Sequence, residues 1–208
     1  MKVFIVSDME GVAGIVKWAQ TDGSAADTAY HEGRHLYTQE INAAVRGAKA
    51  GTPDGVMSHT VSGQAWRELK FNGVSVGETG INAALCGTWG CPVLLVTVDD
   101  AVCVEAKQLL GEGLTTVSVK RGLGRFSARN VTPARARELV EEGAKRALKD
   151  LAAVKPYDPG RPCEIRIDFT SPDRLVEYRN RKGVEQVDTL ALVSRADDWW
   201  TAWSQFYF

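Results

Sequence analysis

Asp8 and Glu10 stand two residues apart, where the apolar run Lys2 to Ser7 gives way to Gly11. Side chains two apart in extended chain share a face, so two carboxylates there repel unless a cation joins them. Ligands of open α/β sheets collect at the carboxyl ends of strands. The pair reads either as a metal site or as two solvated acids opening a loop. His59 lies in Val56-Met57-Ser58-His59-Thr60. Its imidazole can act as base, nucleophile or ligand, or can be hydrogen-bonded near the surface. No G-x-S-x-G surrounds Ser58, so a serine-hydrolase elbow has no support. Glu78 sits in Gly77-Glu78-Thr79-Gly80 at an expected helix start. An acid there complements the macrodipole, and the flanking glycines also suit a close approach of backbone to a ligand.

Three further patterns carry weaker signals. His31-Glu32-Gly33-Arg34-His35 matches H-E-x-x-H, which on a helix sets two imidazoles on one face for zinc. Gly33 weakens that helix, Arg34 charges it, and no third histidine follows. Lys120-Arg121-Gly122-Leu123-Gly124-Arg125 lacks the third glycine of a dinucleotide fingerprint and reads as a basic loop for a carboxylate or as a solvated turn. Trp199, Trp200 and Trp203 read as packing or an interface.

The elements that must position these residues follow from periodicity and turn chemistry. Lys2 to Ser7 reads as a buried strand, Thr28 to Ala50 as a helix and Val56 to Thr60 as a short strand. Trp66 to Phe71, Asn72-Gly73 and Val74 to Val76 predict a hairpin with a type I′ turn. Helices are predicted over Gly77 to Gly87, over Ala101 to Leu110 with Gly111 as its stop, and from Pro133 to about Leu151 behind the Thr132 cap. Pro92 to Val98 and Thr115 to Lys120 read as strands. Beyond the proline-rich stretch Val154 to Pro162 the pattern is strand (Glu164 to Phe169), helix (Pro172 to Tyr178), strand (Thr189 to Val193) and a tryptophan-rich helix (Asp197 to Phe208). The expected fold is α/β: a Rossmann-like, mainly parallel sheet with helices on both faces over residues 1–130, then a smaller α+β part over 131–208.

Composition narrows the function classes. The 208 residues carry 25 basic and 26 acidic side chains, which argues against general nucleic-acid or anionic-membrane binding. The longest apolar stretch, Val93 to Val98, falls far short of the ~20 residues of a spanning helix. Asp8 and Glu10 interrupt any signal-peptide core, so a cytoplasmic protein with reduced thiols at Cys86, Cys91, Cys103 and Cys163 is expected.

Four motifs in one order carry a resemblance. Ser7-Asp8-Met9-Glu10-Gly11, Pro53-Asp54-Gly55-Val56-Met57-Ser58-His59-Thr60, Asn72-Gly73 with Val76-Gly77-Glu78-Thr79-Gly80-Ile81-Asn82-Ala83, and Pro92 to Val96 ending in Asp99-Asp100 resemble the DppA-type zinc-dependent D-aminopeptidases. The likeness continues through Lys120 to Pro133. The resemblance implies a metallo-aminopeptidase with two zinc ions that removes N-terminal D-residues from short peptides. It implies that Asp8 bridges both ions, that Glu10 holds one and Glu78 the other, and that His59 is the catalytic nucleophile or base. It also implies a ring-shaped homo-oligomer, a decamer, and the aromatic C-terminal helix agrees with an interface. Two other readings stand beside it: a zincin built on His31 and His35, and a noncatalytic peptide-binding protein of dipeptide transport.

The sequence departs from the family pattern at one place. Arg46-Gly47-Ala48 runs directly into Lys49-Ala50-Gly51-Thr52-Pro53, where the pattern has a further strand and helix carrying two metal-binding histidines. This chain supplies three of the five ligand residues that the resemblance implies, namely Asp8, Glu10 and Glu78. The expectation is that a stretch is missing between these two segments and that Ala48 and Lys49 are not peptide-bonded neighbours.

Overall fold

The computed structural model describes residues 8–23, 28–41 and 49–207. The expected first strand, the end of the first helix and the Ala48–Lys49 join lie outside these residues. The chain forms two compact units, each assembled from separated stretches: 1–48, 52–58 and 93–155 in one, 49–51, 59–92 and 156–208 in the other.

In the first unit, α1 (Thr28–Ile41), α3 (Asp100–Leu110) and α4 (Pro133–Ala147) accompany a three-stranded sheet of β3 (Leu95–Asp99), β4 (Thr115–Gly124) and β5 (Ser127–Asn130). β3 and β4 are parallel and linked through α3, whereas β5 turns back antiparallel on β4. Asp99 caps α3 by accepting from the Val102 amide at 2.9 Å, and Gly111 ends it at φ +95. Thr132 caps α4 with Pro133 behind it, as its sequence predicts. Val96, Val98, Val102 and Ala106 fill one side of the core, and Val117, Val119, Ala136 and Val140 another. The basic glycine stretch is strand through Gly124 and not a loop.

In the second unit, β1 (Trp66–Phe71), β2 (Val74–Val76), β6 (Cys163–Phe169), β7 (Val184–Asp188) and β8 (Ala191–Ala196) form an antiparallel sheet in the order β2-β1-β6-β8-β7. α2 (Glu78–Thr88), α5 (Pro172–Leu175) and α6 (Trp199–Ser204) complete it. Asn72 and Gly73 turn the β1–β2 hairpin at φ +46 and +81. Alternate side chains Trp66, Leu69 and Phe71 of β1 face inward, as do Ile165, Ile167 and Phe169 of β6.

The fold is mixed α/β, but the mainly parallel sheet is not found: among the described strands only β3 and β4 pair in parallel. Hairpins join β1 to β2, β4 to β5 and β7 to β8, and such links oblige antiparallel pairing, while β6 pairs antiparallel with β1 and β8 across longer connections. Val56 to Thr60 is loop, with Met57 and Val61 at φ +51 and +59, values that no strand permits. β7 has no counterpart in the sequence reading.

The aromatic C-terminus packs into its own unit. Trp203 stacks on Trp199 at 5.5 Å and meets Trp66 and Phe71 edge-on, and Trp66 also touches Phe169 and Tyr178. Trp199 and Phe206 are buried, leaving Trp200 and Tyr207 partly exposed. An interface on this helix therefore has less apolar surface to offer than the sequence implies. Trp66→Ala should destabilise the protein by about 3–5 kcal/mol, whereas replacing the exposed Trp89 should shift it by no more than about 0.5 kcal/mol. Urea denaturation followed by far-UV circular dichroism measures both.

Candidate metal and catalytic residues

Asp8 has extended backbone and is followed at once by a single 3-10 turn, Met9–Gly11. The change of conformation keeps the two acids together: Asp8 and Glu10 share a side-chain hydrogen bond. Burial, that bond and the Asp8 charge push the Glu10 carboxyl up to about 8, against opposing bonds from its own amide and from Thr21. Glu10 therefore favours its protonated form at neutral pH.

The segment behind these acids is held closely. Val12 and Ile15 are buried with Val56 and Met57. Gln20 accepts from the Val16 amide at 2.9 Å and donates to the Gly14 carbonyl at 3.0 Å, while Asn130 accepts from the Gly14 amide. Gly14 sits at φ +89, a conformation that favours glycine.

His59 and Glu78 form a second pair, within the other unit. Their Nε2 and Oε1 atoms lie 3.8 Å apart, with side chains only 12% and 14% exposed. Glu78 also accepts from the Val61 amide at 2.8 Å. Gly77 precedes α2, and a Cβ there would collide with the Lys49 backbone. A glycine is needed at that approach, as the sequence suggested. Val61 is β-branched and left-handed, a combination that persists only where surrounding bonds impose it. The strain sits two residues from His59.

Asp8 thus meets Glu10, and His59 meets Glu78. Among the described residues no three metal-binding side chains gather around one point. His31 and His35 are exposed on α1, while Gly33 between them is the buried residue, against the Gln20 carbonyl. The helix turns its glycine inward and its imidazoles outward, so the zincin arrangement lacks its geometry. Carboxylate oxygens and an imidazole nitrogen are donors that zinc accepts, and a proton-holding carboxyl pair fits a cation.

The Glu10 shift has a stability consequence. Its folded value of about 8 stands above the ordinary 4.5, so between them the folded state binds more protons and stability falls as pH rises. Metal-free protein should lose thermal stability from about pH 4.5 to about pH 8, and Glu10→Gln should remove most of that slope. A slope unchanged in Glu10→Gln would assign the pH dependence to other groups.

Comparisons with known proteins identify the family and the fold. A D-aminopeptidase of Bacillus subtilis (strain 168) is 36% identical over 124 residues, covering 60% of this chain and 44% of that protein. The matched part is thus less than half the length of that relative. The solved structure of the Zn-dependent D-aminopeptidase DppA from Bacillus subtilis, described as a self-compartmentalizing protease, superposes with a TM-score of 0.88 at 23% identity, over 99% of this chain and 95% of that one. This likeness establishes the fold. The model of the family Peptidase M55, D-aminopeptidase, matches residues 1–51 and 48–208, two pieces that meet where the sequence departs from the expected pattern. With both pieces matched in order across its whole length, the chain belongs to the Peptidase M55 family of D-aminopeptidases.

Proposed function

We propose that this protein is a zinc-dependent aminopeptidase that removes N-terminal D-amino acids from short peptides. The observation that carries the reading is the Asp8–Glu10 pair, whose half-buried, hydrogen-bonded carboxyls are suited to exchanging a proton for a cation. Family membership supplies the reaction class. The DppA relative is described as zinc-dependent, which supports zinc as the ion.

In this reading Asp8, Glu10 and Glu78 would hold two zinc ions, with Asp8 the shared ligand and Glu10 and Glu78 each a ligand of one. Bound zinc supplies Lewis-acid polarisation of the scissile carbonyl and lowers the pKa of a coordinated water. The chain's own groups do the rest. Glu10 would lose its proton on holding a cation. His59 moves the proton between the attacking and departing atoms, or itself attacks. The Glu78 carboxylate, 3.8 Å from Nε2, stabilises an imidazole that has taken up a proton. The chain further assembles as a ring-shaped homo-oligomer, a decamer, working in the cytoplasm. The self-compartmentalizing relative supports assembly.

The two family-model pieces overlap at residues 48–51, which supports a segment of the family pattern being absent there. Two further ligands would belong to that segment. A protein of these 208 residues should then bind zinc more weakly than one in which the segment is restored.

The variants separate the roles. Asp8→Ala should lose both ions, and more activity than Glu10→Ala or Glu78→Ala. His59→Ala should keep its zinc and lose about 10²–10⁴-fold in turnover of D-alanyl-p-nitroanilide. Metal analysis beside that assay, with the L-alanyl isomer as control, provides the check. Equal metal loss in all three carboxylate variants would contradict the bridge, zinc loss in His59→Ala would make His59 a ligand, and peptide binding without turnover at full zinc would favour a binding protein.

A further inference from the structure

Two charged side chains of the first unit are almost wholly buried and have no part in the chemistry above. Lys120 is 1% exposed and Asp99 0%. They are register partners across the parallel pair β3–β4, and each reaches to the backbone of a different segment. The Lys120 ammonium donates to the carbonyls of Glu10, Val12 and Ile15 at 2.5, 3.1 and 3.0 Å. The Asp99 carboxylate accepts from the Val56 amide at 3.1 Å with one oxygen and from the Val102 amide at 2.9 Å with the other.

Burying an ammonium is costly unless its hydrogen bonds are made. Here they go to one short segment, the turn that bears Asp8 and Glu10. A compact ammonium with three donors suits carbonyls converging from a tight turn, whereas a planar guanidinium does not. Asp99 treats the other segment alike. Its bond to Val56 fixes the loop that leads into Ser58 and His59, a loop that also needs the left-handed Met57 and the Met57 amide's bond to the Arg125 carbonyl. Burial raises the Asp99 carboxyl, and the Val102 amide, the Lys120 charge and the Val56 amide pull it back.

We propose that Lys120 and Asp99 are positioning residues of the metal site: Lys120 fixes the turn that presents Asp8 and Glu10, and Asp99 fixes the segment that leads into His59. The proposal rests on the metallo-aminopeptidase reading. Apolar packing of Val12, Ile15, Val56 and Met57 holds the same two segments together in the core. Loss of the ammonium should therefore loosen the placement of the acids without unfolding the unit.

The test is Lys120→Met, which keeps the chain length and removes the charge. Calorimetric zinc titration and hydrogen exchange of the metal-free protein serve as readouts. Zinc affinity should fall about 10–100-fold, as for lost supporting contacts at metal sites. Amides of residues 9–17 should exchange at least about tenfold faster, while α3 and α4 exchange as in the wild type. Asp99→Asn should speed exchange around Val56 and leave residues 9–17 less affected. Faster loop exchange with unchanged zinc affinity, or no change in either, overturns the proposal. A wild type that binds no zinc, while Lys120→Met still loosens residues 9–17, overturns the reading of the site and leaves the anchoring intact. Should Lys120→Met not fold, nitrogen-15 NMR of the wild-type lysine ammonium decides. Slow proton exchange and couplings to the Glu10, Val12 and Ile15 carbonyl carbons support the anchor, and exchange like that of a surface lysine refutes it.

Discussion

Two carboxyl groups on one turn, shielded from water and within hydrogen-bond reach, cannot both stay ionised without a positive charge between them. Asp8 and Glu10, half-buried on one turn and hydrogen-bonded to each other, come close to that constraint. Burial first, and the Asp8 hydrogen bond and charge after it, push the Glu10 carboxyl up to about 8, so a proton settles on the pair. On the proposed reading zinc, carrying two charges and accepting oxygen ligands, would satisfy it better.

Such repulsion would push the turn open if the backbone were free to yield. It is held from several sides: Lys120 grips three of its carbonyls, Gln20 ties Gly14 and Val16, and Val12 and Ile15 are fixed in the core. The loop before His59 carries a different strain. Met57 and Val61 occupy left-handed backbone that neither residue prefers, while Asp99, Arg125 and Glu78 hold the adjoining amides. Long-range bonds thus hold Met57 and Val61, on either side of His59, in backbone the local sequence would not choose.

The same contrast explains what could be read from sequence. Turns and caps were legible because their causes are local: Asn72-Gly73 for the hairpin, Thr132-Pro133 for the start of α4, Gly111 for the end of α3. Asp8, Glu10, His59 and Glu78 stood out by residue type, and the structure pairs them two and two. Val56 to Thr60 was misread as strand because its apolar residues suit one, while long-range bonds to Asp99 and Arg125 decide its path. β7 was missed because all five of its residues are at least partly exposed, so no apolar alternation marks it. Lys120 read as part of a basic surface loop, since only the fold shows that backbone carbonyls from more than a hundred residues away surround it.

The central claim is that Asp8 and Glu10 trade a proton for a metal ion, and proton release on zinc binding tests it most directly. Calorimetric titrations at pH 7 in buffers of different ionisation enthalpy count the protons set free. With Glu10 near 8, the account predicts about one proton more per chain from the wild type than from Glu10→Gln, with the difference vanishing by about pH 9. Equal release from wild type and Glu10→Gln at pH 7, or zinc binding that ignores the Glu10→Gln change altogether, would contradict it.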